Sequence, residues 1–498
     1  MNFICVKAMC WLEEKLEKWY LAYGIIAAAV LLSYCNSFTV PFLLDDFGSI
    51  QNNYAIHELF NFAELWKFYA NRIFLYFTLS INYAIHDNGV EGYHVTNIII
   101  HILNGILFYL ILVKLFSLPY FKEKLVSQFC KSISAISAVM FVCHPIQVNA
   151  VTYIVQRTAS LAAAFYFLAI LFFIKYRVRG RPLSLLLVVL FTVFAMFTKE
   201  NTITIPFTLL LIEIMFFMKD GKTSLVKRIL IFIPIFATLP IIPGTNLLLK
   251  GYSQSDPDVA FKASTSMDRF QYFYTELNVI LIYIKLMLLP FNQNFDYSND
   301  FPLSPTIWDN YSYVSFLIIL MIGVFCVYTI KRNRLVSLGI LLFFIGLSVE
   351  SSFISIKDVY FEHRLYFPTA GFIIFLTGMI MYERKKKPRP CFLLKKPLII
   401  IMAVSLALIP AYMCLTIVRN YTYGDVIRLW NDVAAKAPGS DRAHSALATG
   451  YLNAYNEQEN NTEYLDLAEL EFKKAIDLNY NNSTAHTNLS KVYLLKEE

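Results

Sequence analysis

Trp19-Tyr-Leu-Ala-Tyr-Gly-Ile-Ile-Ala-Ala-Ala-Val-Leu-Leu-Ser-Tyr-Cys-Asn-Ser-Phe-Thr-Val-Pro-Phe-Leu-Leu-Asp-Asp-Phe-Gly48 decides how this chain must fold. It opens with an apolar run of about 22 residues, long enough to cross the hydrocarbon core of a bilayer. That length suits a retained span better than a cleaved leader. Two adjacent carboxylates, Asp45 and Asp46, follow at once. Charges at the rim of a hydrophobic bundle are costly to place there without a purpose.

The rest of the chain repeats the theme. Of its 498 residues, 57% are hydrophobic and 16% charged, against about 25% charged in soluble domains. Apolar runs recur at about 20–41, 93–116, 132–150, 159–176, 183–198, 202–218, 229–247, 311–330, 335–355, 366–382 and 397–417. The predicted fold class is therefore all-α, a polytopic membrane helical bundle of about eleven spans with re-entrant or interfacial helices. The stretches 73–85 and 274–290 are ambiguous. The net charge is +7, but the basic residues cluster in short loops between apolar runs. That pattern signals topology and argues against nucleic acid as a partner. The eight cysteines show no paired spacing and read as packing residues.

Lys15 and Lys18, Lys114 to Lys131, Lys175 to Arg181, Lys219 to Arg228, Lys331 to Arg334 and Arg384 to Lys396 fall on one face if 274–290 does not cross. The positive-inside rule then puts the N-terminus in the cytoplasm and the C-terminus outside. The outer segments collect Asp45, Asp46, His144, Arg157, Lys199, Glu200, Lys357, Asp358, Glu362, His363 and Arg364. Few charges lie near the middle of a span, which argues against a transporter or proton relay.

Four clusters could carry chemistry. In His144-Pro-Ile-Gln-Val-Asn-Ala-Val-Thr-Tyr-Ile-Val-Gln-Arg157, Pro145 suits the first turn of a helix. Arg157 either snorkels to water or binds a lipid phosphate through its guanidinium. In Thr198-Lys-Glu-Asn201, Lys199 and Glu200 either pair with each other or hold a phosphate in a tight turn. Lys357-Asp-Val-Tyr-Phe-Glu-His-Arg364 interleaves cations, carboxylates and a histidine with aromatics. His94, Asn97, His101 and Asn104 share one helix face. His101 and Asn104 read as interhelical hydrogen-bonding residues, whereas His94 is close enough to the rim to reach a site. No spacing reads as a zinc site, and there is no Gly-rich phosphate loop or Gly-x-Ser-x-Gly elbow.

From about Asn420 the chain turns polar and helical. His444, Leu447, Ala448 and Tyr451, then Ala468, Phe472 and Ala475, fit the large and small positions of a tetratricopeptide repeat, with about eight residues inserted between its helices. His486, Leu489, Ser490 and Tyr493 begin another; Trp430, Val433 and Pro438 end a preceding one. This is fewer than the roughly three repeats that stand alone, so the array is expected to lean on the membrane domain or a partner. The division is 1–419, a transmembrane domain, and 420–498, a repeat segment.

In order along the chain, Leu44-Asp-Asp-Phe47, Gly92-Tyr-His-Val-Thr-Asn97 with His101 and Asn104, His144 to Arg157, Thr198 to Asn201, Leu289-Pro-Phe-Asn-Gln-Asn-Phe-Asp-Tyr297, Phe361-Glu-His-Arg-Leu-Tyr366 and the repeats resemble the membrane-embedded GT-C glycosyltransferases. The likeness is greatest to the transmembrane and tetratricopeptide-repeat-containing protein O-mannosyltransferases and their prokaryotic relatives. It runs through nearly the whole chain. The chain departs from the eukaryotic members in its short repeat array, which points to a prokaryotic plasma membrane, with the endoplasmic reticulum as the alternative.

The resemblance implies an inverting glycosyltransferase using a polyprenyl- or dolichyl-phosphate sugar, with mannose as the sugar. The acceptor would be a protein Ser or Thr hydroxyl at the outer interface, with the protein docked by the repeats. Asp45 or Asp46 would be the catalytic base. Arg157, Lys199, His363 and Arg364 would bind the donor phosphate, supported by His94, His144, Glu200 and Glu362. No metal site is assigned; a divalent cation, Mg or Mn, would fall on Asp45 or Asp46. Phe291 to Tyr297 lines the pocket or is a simple turn. Two other readings remain open: a transferase of the same fold acting on a lipid or surface polymer, and a non-catalytic membrane scaffold. Asn-x-Ser/Thr sequons stand at Asn420, Asn460, Asn481, Asn482 and Asn488.

Overall fold

The computed structural model describes residues 2–122, 124–218, 224–249, 267–297, 300–356, 358–381, 395–457 and 461–497. Lys219, Lys222, Lys357, the basic stretch 384–394 and Asn460 lie outside the described residues. Within them the elements are helices and turns, with no strand. Apolar backbone in a bilayer must satisfy its own hydrogen bonds, and a helix does so within one segment.

Helices α1 (Asn2–Lys15) and α2 (Trp19–Ser33) meet at a sharp bend, 107° between Ala8–Lys15 and Trp19–Ser33. After the Asp-Asp turn come α3 (Phe62–Tyr69), α4 (Ile73–His86) and the long α5 (Val90–Phe116). Helix α6 (Cys130–Cys143) is followed by short helical turns through Val151, bent by 51° at His144-Pro145. Proline lacks an N–H donor and its ring clashes with the preceding turn, so the helix breaks there. Helix α7 (Arg157–Arg179) ends on Gly180 at φ 67°, where a side chain would be strained.

Then follow α8 (Pro182–Met196) and α9 (Ile205–Ile212), which widens into a π-turn over Glu213–Phe217. Helices α10 (Leu225–Phe236), α11 (Ile241–Leu249), α12 (Arg269–Leu288), α13 (Ser312–Ile330), α14 (Arg334–Leu347), α15 (Tyr366–Ile380) and α16 (Lys395–Tyr423) complete the bundle.

By length and composition, five helical stretches among the described residues can cross a membrane alone, and seven if each bent pair is one span. The apolar α8 and α14 are shorter. Among the described residues, fewer unbroken helices meet that length and composition than the eleven apolar runs. The multi-pass membrane bundle stands. Helix α13 turns Leu317, Leu320, Met321 and Val324 outward, as a lipid-facing helix does.

Helices α14 and α15 pack along a glycine seam. A Cβ on Gly371 would lie 2.7 Å from Phe343 N, one on Gly378 2.8 Å from Val336 N, and one on Gly339 2.3 Å from Phe375 N. Such small residues let two backbones touch where lipid gives no hydrophobic drive to associate. The seam fixes the end of α14, carrying Glu350, against the start of α15, carrying His363 and Arg364.

The C-terminal segment consists of α17 (Val426–Lys436), α18 (Asp441–Glu457), α19 (Thr462–Leu478) and α20 (Ser483–Glu497), each packed on the next. Ala448, Leu452, Leu465, Ala468, Phe472 and Ala475 form its small core.

Candidate active site

The breaks after α2, α6, α8, α12 and α14 converge at one end of the bundle and enclose a polar recess. Leu44, at φ 38°, bends the chain into the Asp-Asp turn. A leucine in this region is strained, and such strain persists only where surrounding contacts hold it. Asp46 supplies them. Its Oδ2 accepts the Leu43 N–H (2.9 Å) and its Oδ1 the Val155 N–H (2.7 Å). Asp46 is wholly buried. Burial pushes its carboxyl up to about 8 against the lowering effect of those backbone donors, and neighbouring Asp45 adds to the rise.

Asp45 points the other way. It is exposed at the recess mouth, and its backbone N–H donates to Tyr153 Oη (2.9 Å). The recess walls still desolvate its carboxyl and raise it above the ordinary range, opposed by a bond from the Tyr153 hydroxyl and by the charges of Arg442 and Arg72. The two aspartates thus differ: Asp46 is held by backbone amides of two segments, and Asp45 is exposed.

Lys199, His363 and Arg364 meet in one narrow cleft beside α7, walled by Ala159, Tyr166 and Phe367. Lys199 Nζ pairs with Glu350 Oε1 at 2.9 Å, rather than with its neighbour Glu200. Glu200 instead faces Arg72, at 3.5 Å. Arg364 lies 3.6 Å from Glu276 and donates to the carbonyls of Val359 (2.8 Å) and Asp358 (2.6 Å). The His363 ring meets Asn149 Oδ1 at 3.2 Å. Burial, then the charges of Lys199, Arg364 and Arg72, hold its pKa well below the usual value, so the imidazole is neutral. The Arg72 charge is the weakest of the effects on Asp45 and on His363 alike.

The other sequence candidates serve the frame. Arg157 is fully buried between α4, α5 and α7. Its nitrogens donate to Asn97 Oδ1 (2.6 Å), to the Thr78 carbonyl (3.1 Å) and to the Tyr93 carbonyl (3.1 Å). It neither reaches water nor lines the cleft. His94 bonds the Val40 carbonyl (2.7 Å) just before the Asp-Asp turn. His144 spans the Met287 carbonyl (3.2 Å) and the Ile146 N–H (3.2 Å). Glu362 accepts from Asn294 N (2.7 Å) and Gln293 Nε2 (3.0 Å), anchoring the loop after α12. His101 and Asn104 both reach Tyr366 Oη, at 2.7 and 2.9 Å.

Sequence reasoning missed Arg72, Glu276 and Arg442, and it held Asp296 only as part of the stretch Phe291 to Tyr297. Their partners lie many residues away, and no local spacing marks them. Among the described residues no group of three or more His, Cys, Asp or Glu side chains is placed to hold a metal ion. With Asp46 committed to backbone amides, the acidic pair does not make a ready cation cradle, and no cation is assigned.

No family model matches the chain. It is similar to a protein O-mannosyl-transferase of Caenorhabditis elegans, 25% identical over 368 residues, covering 70% of this chain and 50% of that protein. It is also similar to the protein O-mannosyl-transferase TMTC4 of Homo sapiens, 23% identical over 421 residues, covering 73% of this chain and 56% of that protein. The chain spans about half the length of these curated relatives.

Proposed function

We propose that this chain moves mannose from a polyprenyl-phosphate carrier to a Ser or Thr hydroxyl of a protein, at the membrane–water boundary. The observation that carries this reading is the convergence at one end of the bundle of an exposed Asp45 and a cleft holding Lys199, His363 and Arg364. The likeness to two proteins named protein O-mannosyl-transferases supports the choice of reaction.

A sugar phosphate already carries a good leaving group. The reaction needs a base for the acceptor and positive charge on the departing phosphate. In the proposed step the acceptor oxygen bonds to the anomeric carbon and gives its proton to the Asp45 carboxylate. The bond from that carbon to the phosphate oxygen breaks, and its electron pair leaves with the polyprenyl phosphate. A single displacement inverts the anomeric carbon. Arg72 and Lys199 face the phosphate; Glu350 and Glu276 hold the buried cations in place until the donor arrives. Neutral His363 offers a hydrogen bond.

The basic loops at the opposite end of the bundle support a cytoplasmic N-terminus, with the recess and the C-terminal helices on the outer or lumenal side. Those helices are the proposed dock for the acceptor polypeptide.

The test is turnover by the purified chain in detergent with polyprenyl-phosphate mannose and a Ser/Thr-rich peptide. Mass spectrometry should find one mannose on the peptide for each polyprenyl phosphate released. Absence of both products across polyprenyl-phosphate sugars would sink the reading.

A further inference from the structure

Among the C-terminal side chains that reach the loops around the recess, one makes charged contacts with two of them. Arg442, in the first turn of α18, reaches back across the rim. Its Nε donates to Asp296 Oδ2 (2.7 Å) and its Nη2 to Asp296 Oδ1 (2.7 Å), a bidentate fork. The same Nη2 reaches Asp358 Oδ1 at 2.9 Å. Asp296 is wholly buried. It belongs to the loop that Glu362 anchors, and Asp358 to the strap leading to His363. One guanidinium therefore ties three separate parts of the chain together with the geometry that Arg–carboxylate pairing favours.

Asp45 sits beside this knot. Its backbone bonds Tyr153, whose ring packs on Phe295 with centroids 5.2 Å apart. Phe295 adjoins Asp296 in sequence and packs edge-on against Trp430 of α17 (5.6 Å). Asp45, Tyr153, Phe295, Asp296 and Arg442 thus form a continuous chain of contacts from the recess into the C-terminal segment. The Arg442 charge also offsets that of Asp358 at the Asp45 carboxyl. Other contacts also hold the segment down: Lys436 Nζ donates to the Gln293 carbonyl in the same loop (2.7 Å), and Gly439 N to Asp300 Oδ2 beyond it (3.0 Å).

We propose that Arg442 is a positioning residue for the transfer reaction, so that the C-terminal segment completes the acceptor side of the active site as well as docking beside it. The inference rests on the transferase reading above. Loss of Arg442 removes the fork from Asp296 and the bond to Asp358 beside the base, and leaves the loop to its bonds with Glu362 and Lys436. The donor cleft keeps its own ion pairs, Lys199 with Glu350 and Arg364 with Glu276, and Arg364 still holds the Asp358 carbonyl. Arg442 should therefore act on the chemical step and leave donor binding alone.

The experiment compares the full-length chain with Arg442→Gln, Arg442→Lys and Asp300→Asn, measuring kcat and the donor KM with polyprenyl-phosphate mannose and a Ser/Thr peptide. Arg442→Gln should lower kcat by about a hundredfold, in the range of a misplaced catalytic group, with the donor KM unchanged. Arg442→Lys should recover part of that loss, because it returns the charge without the fork. Asp300→Asn, which weakens docking away from the recess, should keep the native kcat. An Arg442→Gln kcat equal to the native one overturns the inference, and so does an equal loss in Asp300→Asn, which would assign the effect to docking alone. Absence of turnover in the native chain overturns the transferase reading and this inference with it.

Discussion

The two ends of α7 carry buried charge in opposite styles. At its C-terminal end Arg177 pairs with Glu213 at 2.6 Å, with both side chains about 5% exposed or less, and Arg228 approaches the same carboxylate at 3.7 Å. At its N-terminal end, about 33 Å away along the helix, Lys199 and Arg364 pair with Glu350 and Glu276. Here, however, the network borders a cleft, and Asp45 stands exposed at the same end of the bundle. Buried ion pairs alone are weak signs of function, because a membrane protein must neutralise whatever charge it buries. What separates the two ends is the carboxylate left accessible at one of them.

The sharpest way to break this contrast is to remove a carboxylate from the closed end. Glu213→Ala removes the carboxylate that Arg177 and Arg228 approach and should cost up to about 3–5 kcal/mol, the usual penalty for halving a buried pair. It should lower the melting temperature in detergent while the surviving folded protein keeps its donor KM. A changed KM would mean that the two ends are not independent.

A bulky residue in the glycine seam tests whether packing holds the open end in register. Gly371→Leu sets a side chain 2.7 Å from the Phe343 nitrogen, and overpacking of this kind costs about 1–3 kcal/mol. Melting temperature and donor KM should both suffer, because the seam aligns Glu350 with His363. A variant with native stability would show that the seam yields without cost.

Arg72→Gln addresses the open end directly. It should raise the donor KM about tenfold, the equivalent of roughly 1.4 kcal/mol of phosphate binding, with little change in melting temperature. A native KM would remove Arg72 from the phosphate site.

A further test concerns the pH dependence set by Asp46. Its folded carboxyl lies at about 8, above the unfolded value of about 3.9. Folding therefore takes up a proton there. The contribution to stability is complete below the unfolded value and is lost as pH rises through the folded one. Melting temperature should decline between about pH 4 and pH 8, and Asp46→Asn should flatten that slope. An unaltered slope would assign the pH dependence to another group.

Much of the fold was legible in the apolar runs, because period and length alone dictate helices in lipid. The breaks were harder to read. Pro145 marks one of them, but the bend between α1 and α2 has no proline to announce it. Within the recess, the Asp-Asp pair stood out because it follows a span. The different jobs of Asp45 and Asp46 depend on Val155 and Tyr153 arriving from a distant turn, which adjacency in sequence does not reveal. The same holds for Arg157, whose partners Asn97 and Thr78 come from other helices. Arg442 and Asp296 are 146 residues apart and meet only through tertiary packing. Charges are recognisable in a sequence, but their partners are chosen by the fold.

The most direct test of the division between the two aspartates is a single-turnover measurement of polyprenyl phosphate release by the native chain and by Asp45→Asn, both folded and loaded with donor and acceptor. The account predicts donor binding in both and release lowered by about a thousandfold in the variant, as for loss of a catalytic base. Release at the native rate from Asp45→Asn would contradict it.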